Sequence, residues 1–286
     1  MSEYQFDLLD LKKKGIHEIS NLLTLVFGEA AELTTEFINW EYNQNPAGKA
    51  VGFNAVKDNT LAAHYVTQPM IGMIEGQKLK GLLSLNTATH PDHRGKKLFT
   101  RLAESTYQKG LEQGYEFVIG VANANSTPGF IKKLGFSLIK PLDVKFGFGR
   151  IKPDFEATYG YSRFWDREQL EWRLNNPKLN YELKPIRDGF LVLAPTGNYG
   201  IKAVMGYFPK SDISDKVISK KITTLNPTVI WMGMDKNLSW NTRPFFNFPD
   251  KFKPSPLNLI FRDLTGKNRM PDPRNLKFMN IDFDAY

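Results

Sequence analysis

Thr87-Ala-Thr-His-Pro-Asp-His-Arg-Gly-Lys-Lys-Leu-Phe99 is the stretch that decides how this chain is read. The apolar residues Leu82, Leu83 and Leu85 lead into it, and Leu98, Phe99, Leu102, Ala103 and Tyr107 leave it at helical spacing. The pattern predicts a strand, a short basic turn containing Gly95, and the start of a helix. A helix start carries unpaired N–H groups and the positive end of the helix dipole. With Arg94, Lys96 and Lys97 beside it, such a start suits a phosphate-bearing ligand.

A second stretch follows. Phe117–Ala122 (FVIGVA) reads as a buried strand, then Asn123-Ala-Asn-Ser-Thr-Pro-Gly-Phe130 opens a helix that stops at Leu134-Gly135-Phe136 with Gly135 as the residue past its end. Asn123 and Asn125 stand where an asparagine caps the helix between about 127 and 134.

Together the two stretches resemble the motifs of the GNAT acyl-CoA N-acyltransferases, over roughly residues 1–150. Arg94-Gly95-Lys96-Lys97-Leu98-Phe99 is similar to that family's pyrophosphate motif, Arg/Gln-x-x-Gly-x-Gly/Ala, with two departures. Lys97 replaces the first patterned glycine, so its backbone is expected to avoid conformations reserved for glycine. Phe99 replaces the closing small residue. The resemblance implies that acyl-CoA is the co-substrate, with no metal. It implies binding by Thr87, Ala88, Thr89, His93, Arg94, Gly95, Lys96, Lys97, Leu98, Phe99, Asn123, Asn125 and Phe130. It implies a mixed sheet that splays where the cofactor enters, with the arm of coenzyme A along the strand ending Asn86-Thr87-Ala88-Thr89. Ile131 stands where the family often has a tyrosine as acid for the departing thiolate, and it cannot donate a proton.

His64 lies in Leu61-Ala-Ala-His-Tyr-Val66, where a polar residue in an apolar strand must find a partner. It is read either as a general base or as a satisfied core histidine, with Tyr65 on the opposite face. Asn86 and Thr87 are candidates to meet the acceptor, and ordinary strand-end residues look the same. His17 reads as structural. His93 is read as touching phosphate or as solvated.

The chain of 286 residues suggests two domains. A hydrophobic content of 41% supports a packed core rather than disorder. No window reaches the length of a membrane span, and no signal-peptide pattern is seen. The lack of cysteine excludes disulfides and a cysteine nucleophile, and it is compatible with the cytoplasm. The net charge of +8 is spread along the chain without a Lys/Arg cluster, which argues against nucleic acid and suits anionic small molecules. No Ser-His-Asp order, HExxH or Walker sequence is present.

The expected fold is α/β: a GNAT-like mixed splayed sheet flanked by helices at 1–150, then a smaller degenerate GNAT-like α/β unit at 151–286. Residues 137–163 read as a bridge between them. Trp40-Glu-Tyr-Asn-Gln-Asn-Pro46 is echoed by Trp172-Arg-Leu-Asn-Asn-Pro177, each after a helical segment and before strands. The second unit has no Arg-Gly turn and so is not expected to bind coenzyme A. Its aromatic and basic segment 240–256 offers Trp240 to stack a base and Arg243 to pair a diphosphate. A buried loop pinned by its phenylalanines is the competing reading. The terminal Asp282-Phe-Asp-Ala-Tyr286 is a further candidate, through its carboxylate. The expected activity is acyl transfer to a small amine, foremost a nucleotide-linked amino sugar for surface polysaccharide. An aminoglycoside or peptide acceptor and a non-catalytic coenzyme A-binding module are the alternatives. Neither the acyl group nor the oligomeric state follows from the sequence.

Overall fold

The computed structural model describes residues 3–28, 33–240, 245–247 and 256–283. It divides into two compact units. The first holds residues 1–71, 79–138 and 260–270; the second holds 72–78, 139–259 and 271–286. The expected boundary near residue 150 is therefore corrected. The units are interleaved in sequence, because residues 260–270 return to the first and the hairpin tip at 72–78 is part of the second. A chain cut near residue 150 would lose Ile260–Met270 from the first unit.

In the first unit a short strand β1 (Gln5–Leu8) precedes helix α1 (Lys13–Phe27), which buries Ile16, Ile19, Leu22 and Leu23 on one face. Helix α2 (Thr35–Asn43) starts where Thr34 accepts a hydrogen bond from the N–H of Phe37 at 3.2 Å. Then come β2 (Val51–Lys57), β3 (Thr60–Ile74) and β4 (Gln77–Thr89). Asp58-Asn59 and Glu75-Gly76 join them, and all four residues have positive φ, as tight hairpin turns of the primed type require. Helix α3 (Leu98–Glu112) carries the chain across to β5 (Phe117–Ala122), which runs parallel to β4. Helix α4 (Thr127–Lys133) follows, and Gly135 has φ +64° just past its end. The core gathers Tyr65, Leu82, Leu102, Tyr107, Val118, Phe130 and Phe136.

Residues 137–163 are not a plain bridge. They contain β6 (Ser137–Pro141), β7 (Asp143–Gly147), β8 (Ile151–Lys152) and the start of β9 (Tyr161–Phe164). The prolines and glycines that suggested a linker end these strands instead of replacing them. In the second unit, α5 (Arg167–Leu174) is capped by Asp166, which accepts from the N–H of Gln169 at 2.8 Å. Three antiparallel strands follow, β10 (Glu182–Ile186), β11 (Gly189–Pro195) and β12 (Ile201–Pro209). Helix α6 (Asp215–Lys221) then crosses to β13 (Thr228–Asp235), parallel to β12.

The two units thus repeat one order: helix, three strands, helix, parallel strand. The echoed Asn-Pro pairs also form the same local turn. Asn45 Oδ1 accepts from the N–H of Ala47 at 3.0 Å, and Asn176 Oδ1 accepts from the N–H of Lys178 at 2.8 Å.

Candidate functional site

Strands β4 and β5 pair over only four positions, from Gly81↔Phe117 to Ser84↔Gly120. Beyond Ser84 this pairing stops, while β4 runs on to Thr89. The change coincides with Asn86, whose φ of +43° breaks the extended course of the strand. Asparagine is among the few residues that tolerate this region. Leu85, Asn86, Thr87 and Thr89 are half-buried, and only Ala88 is buried. The result is an opening between two parallel strands, lined on the β4 side by main chain.

The opening leads to the basic turn. His90, with its N–H bonded to Ala62 O at 2.9 Å, begins a short 3-10 turn over Pro91–His93. Arg94, Gly95, Lys96 and Lys97 are all exposed. Among the described residues, no carboxylate pairs with Arg94, Lys96 or Lys97. Gly95 has φ +75°, and a Cβ there would meet nothing within 4 Å. The turn therefore needs glycine for its backbone rather than for space. Lys97 has φ +59° and ψ +21°, a left-handed conformation that favours glycine but that other residues adopt singly. A lysine can hold this state as a single residue at a cost of roughly 1 kcal/mol. The first N–H groups of α3 then point out past Lys97 without an intrahelical partner.

The side chains of the predicted cofactor residues divide. Leu98 and Phe130 are buried, at 2% and 6% exposure, so they can offer only main chain. Phe99 packs its ring on Phe130 (centroids 5.2 Å apart) and Tyr65 (5.9 Å), which turns it away from the N–H turn. Its bulk thus replaces the expected small residue without covering the helix start. His93 accepts or donates through Nδ1 to the Tyr4 hydroxyl at 2.9 Å. Asn123 forms an Asx turn ahead of α4, whose N-cap is Ser126: its Oδ1 accepts from the N–H groups of Asn125 and Ser126, both at 3.0 Å. The Asn125 side chain is exposed and has no partner among the described residues, so it is the one of the two that can reach a ligand.

His64 is corrected as a candidate base. It is fully buried. Its Nδ1 lies 2.8 Å from Asn54 Oδ1, a pure acceptor, so Nδ1 carries the proton. Nε2 then accepts from the Tyr42 hydroxyl at 3.1 Å. Both nitrogens are occupied, and burial lowers the pKa to about 3. This is the satisfied core histidine. Tyr65 does point the other way, bonding Ser84 Oγ at 2.8 Å and the Tyr107 hydroxyl at 2.5 Å.

Asn86 does have a specific setting, and it comes from a residue the sequence reading passed over. Its Nδ2 donates to Glu41 Oε2 at 2.6 Å. Glu41, on α2, is 7% exposed. Burial, and then the Glu41 charge, hold the neighbouring Tyr42 hydroxyl protonated well above the usual range. The signal was present in Trp40-Glu41-Tyr42: a charged residue between two aromatic residues of a helix is a charge heading for burial.

In the second unit the predicted acceptor residues fare differently. Trp240 is half-buried and packs edge-on against Trp231 (5.4 Å) and Phe245 (4.8 Å), so its ring belongs to the core margin and is not a free stacking platform. Arg243 and the terminal residues 284–286 lie outside the described residues.

Residues 8–139 match the family model of the acetyltransferase (GNAT) domain. The fold is the GNAT fold. Solved structures agree at low identity. A conserved protein of Enterococcus faecalis V583, named a probable N-acyltransferase, superposes with a TM-score of 0.61 at 10% identity, covering 92% of this chain and 73% of that one. A GCN5-related N-acetyltransferase of Anabaena variabilis ATCC 29413 gives 0.57 at 12%, covering 91% and 73%. Eis1 of Mycobacterium abscessus gives 0.59 at 11%, covering 91% and 74%. No curated protein matches the sequence. The match over residues 8–139 supports a transferase activity for this chain. No helix among the described residues is long and apolar enough to cross a membrane.

Proposed function

We propose that the first unit transfers an acyl group from acyl-CoA to the amine of a small acceptor, and that this acceptor is a nucleotide-linked amino-deoxysugar destined for surface polysaccharide. The observation that carries the acyl-CoA half is the parallel pair β4/β5, which opens after Ser84 and runs into an exposed turn of three cations without carboxylate partners among the described residues. The donors fit the group. N–H groups of Gly95, Lys96, Lys97 and the first turn of α3 would hold the pyrophosphate, with Arg94, Lys96 and Lys97 supplying charge. The main chain at Leu85–Thr89 offers an extended edge for the amide-bearing arm, and Asn125 a further polar contact. Acyl-CoA supplies a thioester already active toward an amine.

The chain's own task is then to align the amine and exclude competing water. Asn86, held by Glu41, and Thr87 are the positioning residues at the point where the strands part. Neither His64 nor Ile131 can move a proton, so the acceptor reaches the site as free amine or loses its proton to water. The second unit is read as a degenerate copy of the first. The reading sets the reaction in the cytoplasm, without a metal.

The test uses the full chain with acetyl-CoA and longer acyl-CoAs, a panel of dTDP- and UDP-linked amino sugars, aminoglycosides and peptides, with thiol release and product mass as readouts. Acylation of an amino sugar in preference to the others is the expected result. Acylation of an aminoglycoside or peptide instead would move the acceptor class. Coenzyme A binding with no thiol release for any amine would favour the non-catalytic module, to which Ile131 and the occupied His64 already lend weight.

A further inference from the structure

A cavity of about 980 Å³ lies wholly within the second unit, far along the sequence from the cations of the first. Its volume is at the upper end of small-molecule sites, which run to roughly 1,000 Å³. Its floor is apolar, with Ile151 and Leu191 at 4% and 3% exposure. Its wall carries the ring of Phe148, 59% exposed and so presenting a bare aromatic face.

The charged side chains that line it are Arg150, Lys152, Lys184 and Arg187, against Asp154, Glu156 and Asp188, an excess of one positive charge. Arg187 is drawn to its neighbour Asp188 at 3.6 Å, and Asp154 accepts from the N–H of Glu156 at 3.1 Å. Arg150, Lys152 and Lys184 are not paired with a carboxylate among the described residues, and neither Asp154 nor Glu156 is paired with a cation there. Lys184 is half-buried, and its ammonium donates to the neutral Asn226 Oδ1 at 2.6 Å. Burial lowers its pKa, with no carboxylate to offset the loss of water. A half-buried cation whose hydrogen-bond partner is a neutral amide is stabilised by an incoming anion.

We propose that this cavity binds a nucleoside diphosphate, with the base on Phe148 and the diphosphate between Arg150, Lys152 and Lys184. The aromatic wall asks for a flat ring, and the cluster of cations asks for more than one negative charge at the other end. The inference is independent of acyl transfer by the first unit. It also relocates any acceptor-binding role of the second unit from Trp240 to this cavity.

The experiment is calorimetric titration of the full chain with UDP, ADP, inorganic pyrophosphate and coenzyme A. Four proteins are compared: wild type, Phe148→Ala, the double variant Arg150→Gln/Lys184→Gln, and Arg94→Glu. Phe148 and Arg150 are exposed and glutamine at 184 keeps a donor for Asn226, so folding should hold, and melting curves check it. A nucleoside diphosphate should bind the wild type, weaken on the order of a hundredfold in the double variant, about tenfold for each charge-assisted contact, and be indifferent to Arg94→Glu. Phe148→Ala should weaken the nucleotide about tenfold while leaving pyrophosphate unchanged. Coenzyme A should show the reverse dependence, lost in Arg94→Glu and kept in the others. No nucleotide binding at millimolar concentration, binding unmoved by the double variant, or binding lost only in Arg94→Glu would each overturn the proposal. Failed coenzyme A binding with nucleotide binding intact would count against the first unit's reading alone.

Discussion

His64 gives the sharpest prediction, because its burial ties stability to pH. In the folded protein its pKa is about 3; unfolded it returns to its ordinary 6.5. Below that ordinary value the unfolded chain takes up a proton that the folded chain refuses, so stability falls with acid. The effect is absent above about pH 7, grows as pH drops through 6.5, and levels off only near 3. Across the whole window it amounts to roughly 5 kcal/mol, and about 2 kcal/mol of it falls between pH 7 and pH 5. His64→Gln removes this titration. It also costs stability at pH 7, about 1–3 kcal/mol, because the polar groups of Asn54 and Tyr42 lose a matched partner. The variant should therefore be less stable than wild type at neutral pH, and the gap should shrink by about 2 kcal/mol at pH 5. Urea denaturation of both proteins at the two pH values measures it. A gap that stays constant with pH would refute the buried, neutral state of His64. A loss of acyl transfer per folded molecule, with an ionisation vanishing from the pH–rate profile, would restore the base.

Three further outcomes are expected. Arg94→Glu should raise the acyl-CoA KM by more than about tenfold, since it both removes a cation and introduces repulsion, while melting stays near wild type because the side chain is exposed. Lys97→Gly should stabilise the fold by about 0.5–1 kcal/mol by relieving the left-handed lysine, whereas Lys97→Ala should not; equal melting temperatures for the two would show that residue 97 is unstrained, and both should weaken coenzyme A binding through the lost charge. Trp240→Ala should cost about 2–4 kcal/mol through packing against Trp231 and Phe245 and leave the acceptor KM unchanged; a shifted KM with unchanged stability would return Trp240 to acceptor binding.

What was legible in the sequence is what local chemistry determines. The turns at Asp58-Asn59 and at Gly135, the helix stop before Pro46, and the strand-turn-helix around Arg94 each depend on a few adjacent residues, and each stands where expected. What was missed depends on distant partners. Asn258–Asp263 and Leu276–Met279 are strands whose places follow from neighbours far away in sequence; Phe261, for one, stacks on Phe117 at 5.3 Å. Nothing in the sequence near residue 150 shows that the chain will return to its first unit. His64 and Trp240 failed as site residues for the same reason: a ring's role depends on what packs around it. Asn54 on the adjacent strand and Tyr42 on α2 settle the first, and Trp231 and Phe245 the second.

The contrast between the units shows why strand order alone does not make a binding site. Strand β12 pairs with β13 over four positions, from Ile201↔Thr228 to Val204↔Trp231, just as β4 pairs with β5 before parting. In the first unit the part of β4 beyond Ser84 is half-buried except at Ala88 and leads to cations unpaired among the described residues. In the second, the chain itself enters the corresponding place. Leu276–Met279 pairs antiparallel with Gly233–Asp235 of β13. On the β12 side, a Cβ added to Gly206 would sit 3.0 Å from Ile281 and 3.3 Å from Met279. Those two side chains are 0% and 1% exposed, so they are core rather than a removable plug. The segment after β12, Pro209-Lys-Ser-Asp-Ile-Ser-Asp215, adds no cationic turn to compensate. Stripping out residues 276–281 would expose buried apolar surface and collapse the second unit before it uncovered any cofactor groove. The second unit's capacity for ligands therefore has to be sought away from the parted strands, and the cavity bordered by Arg150, Lys152 and Lys184 lies there.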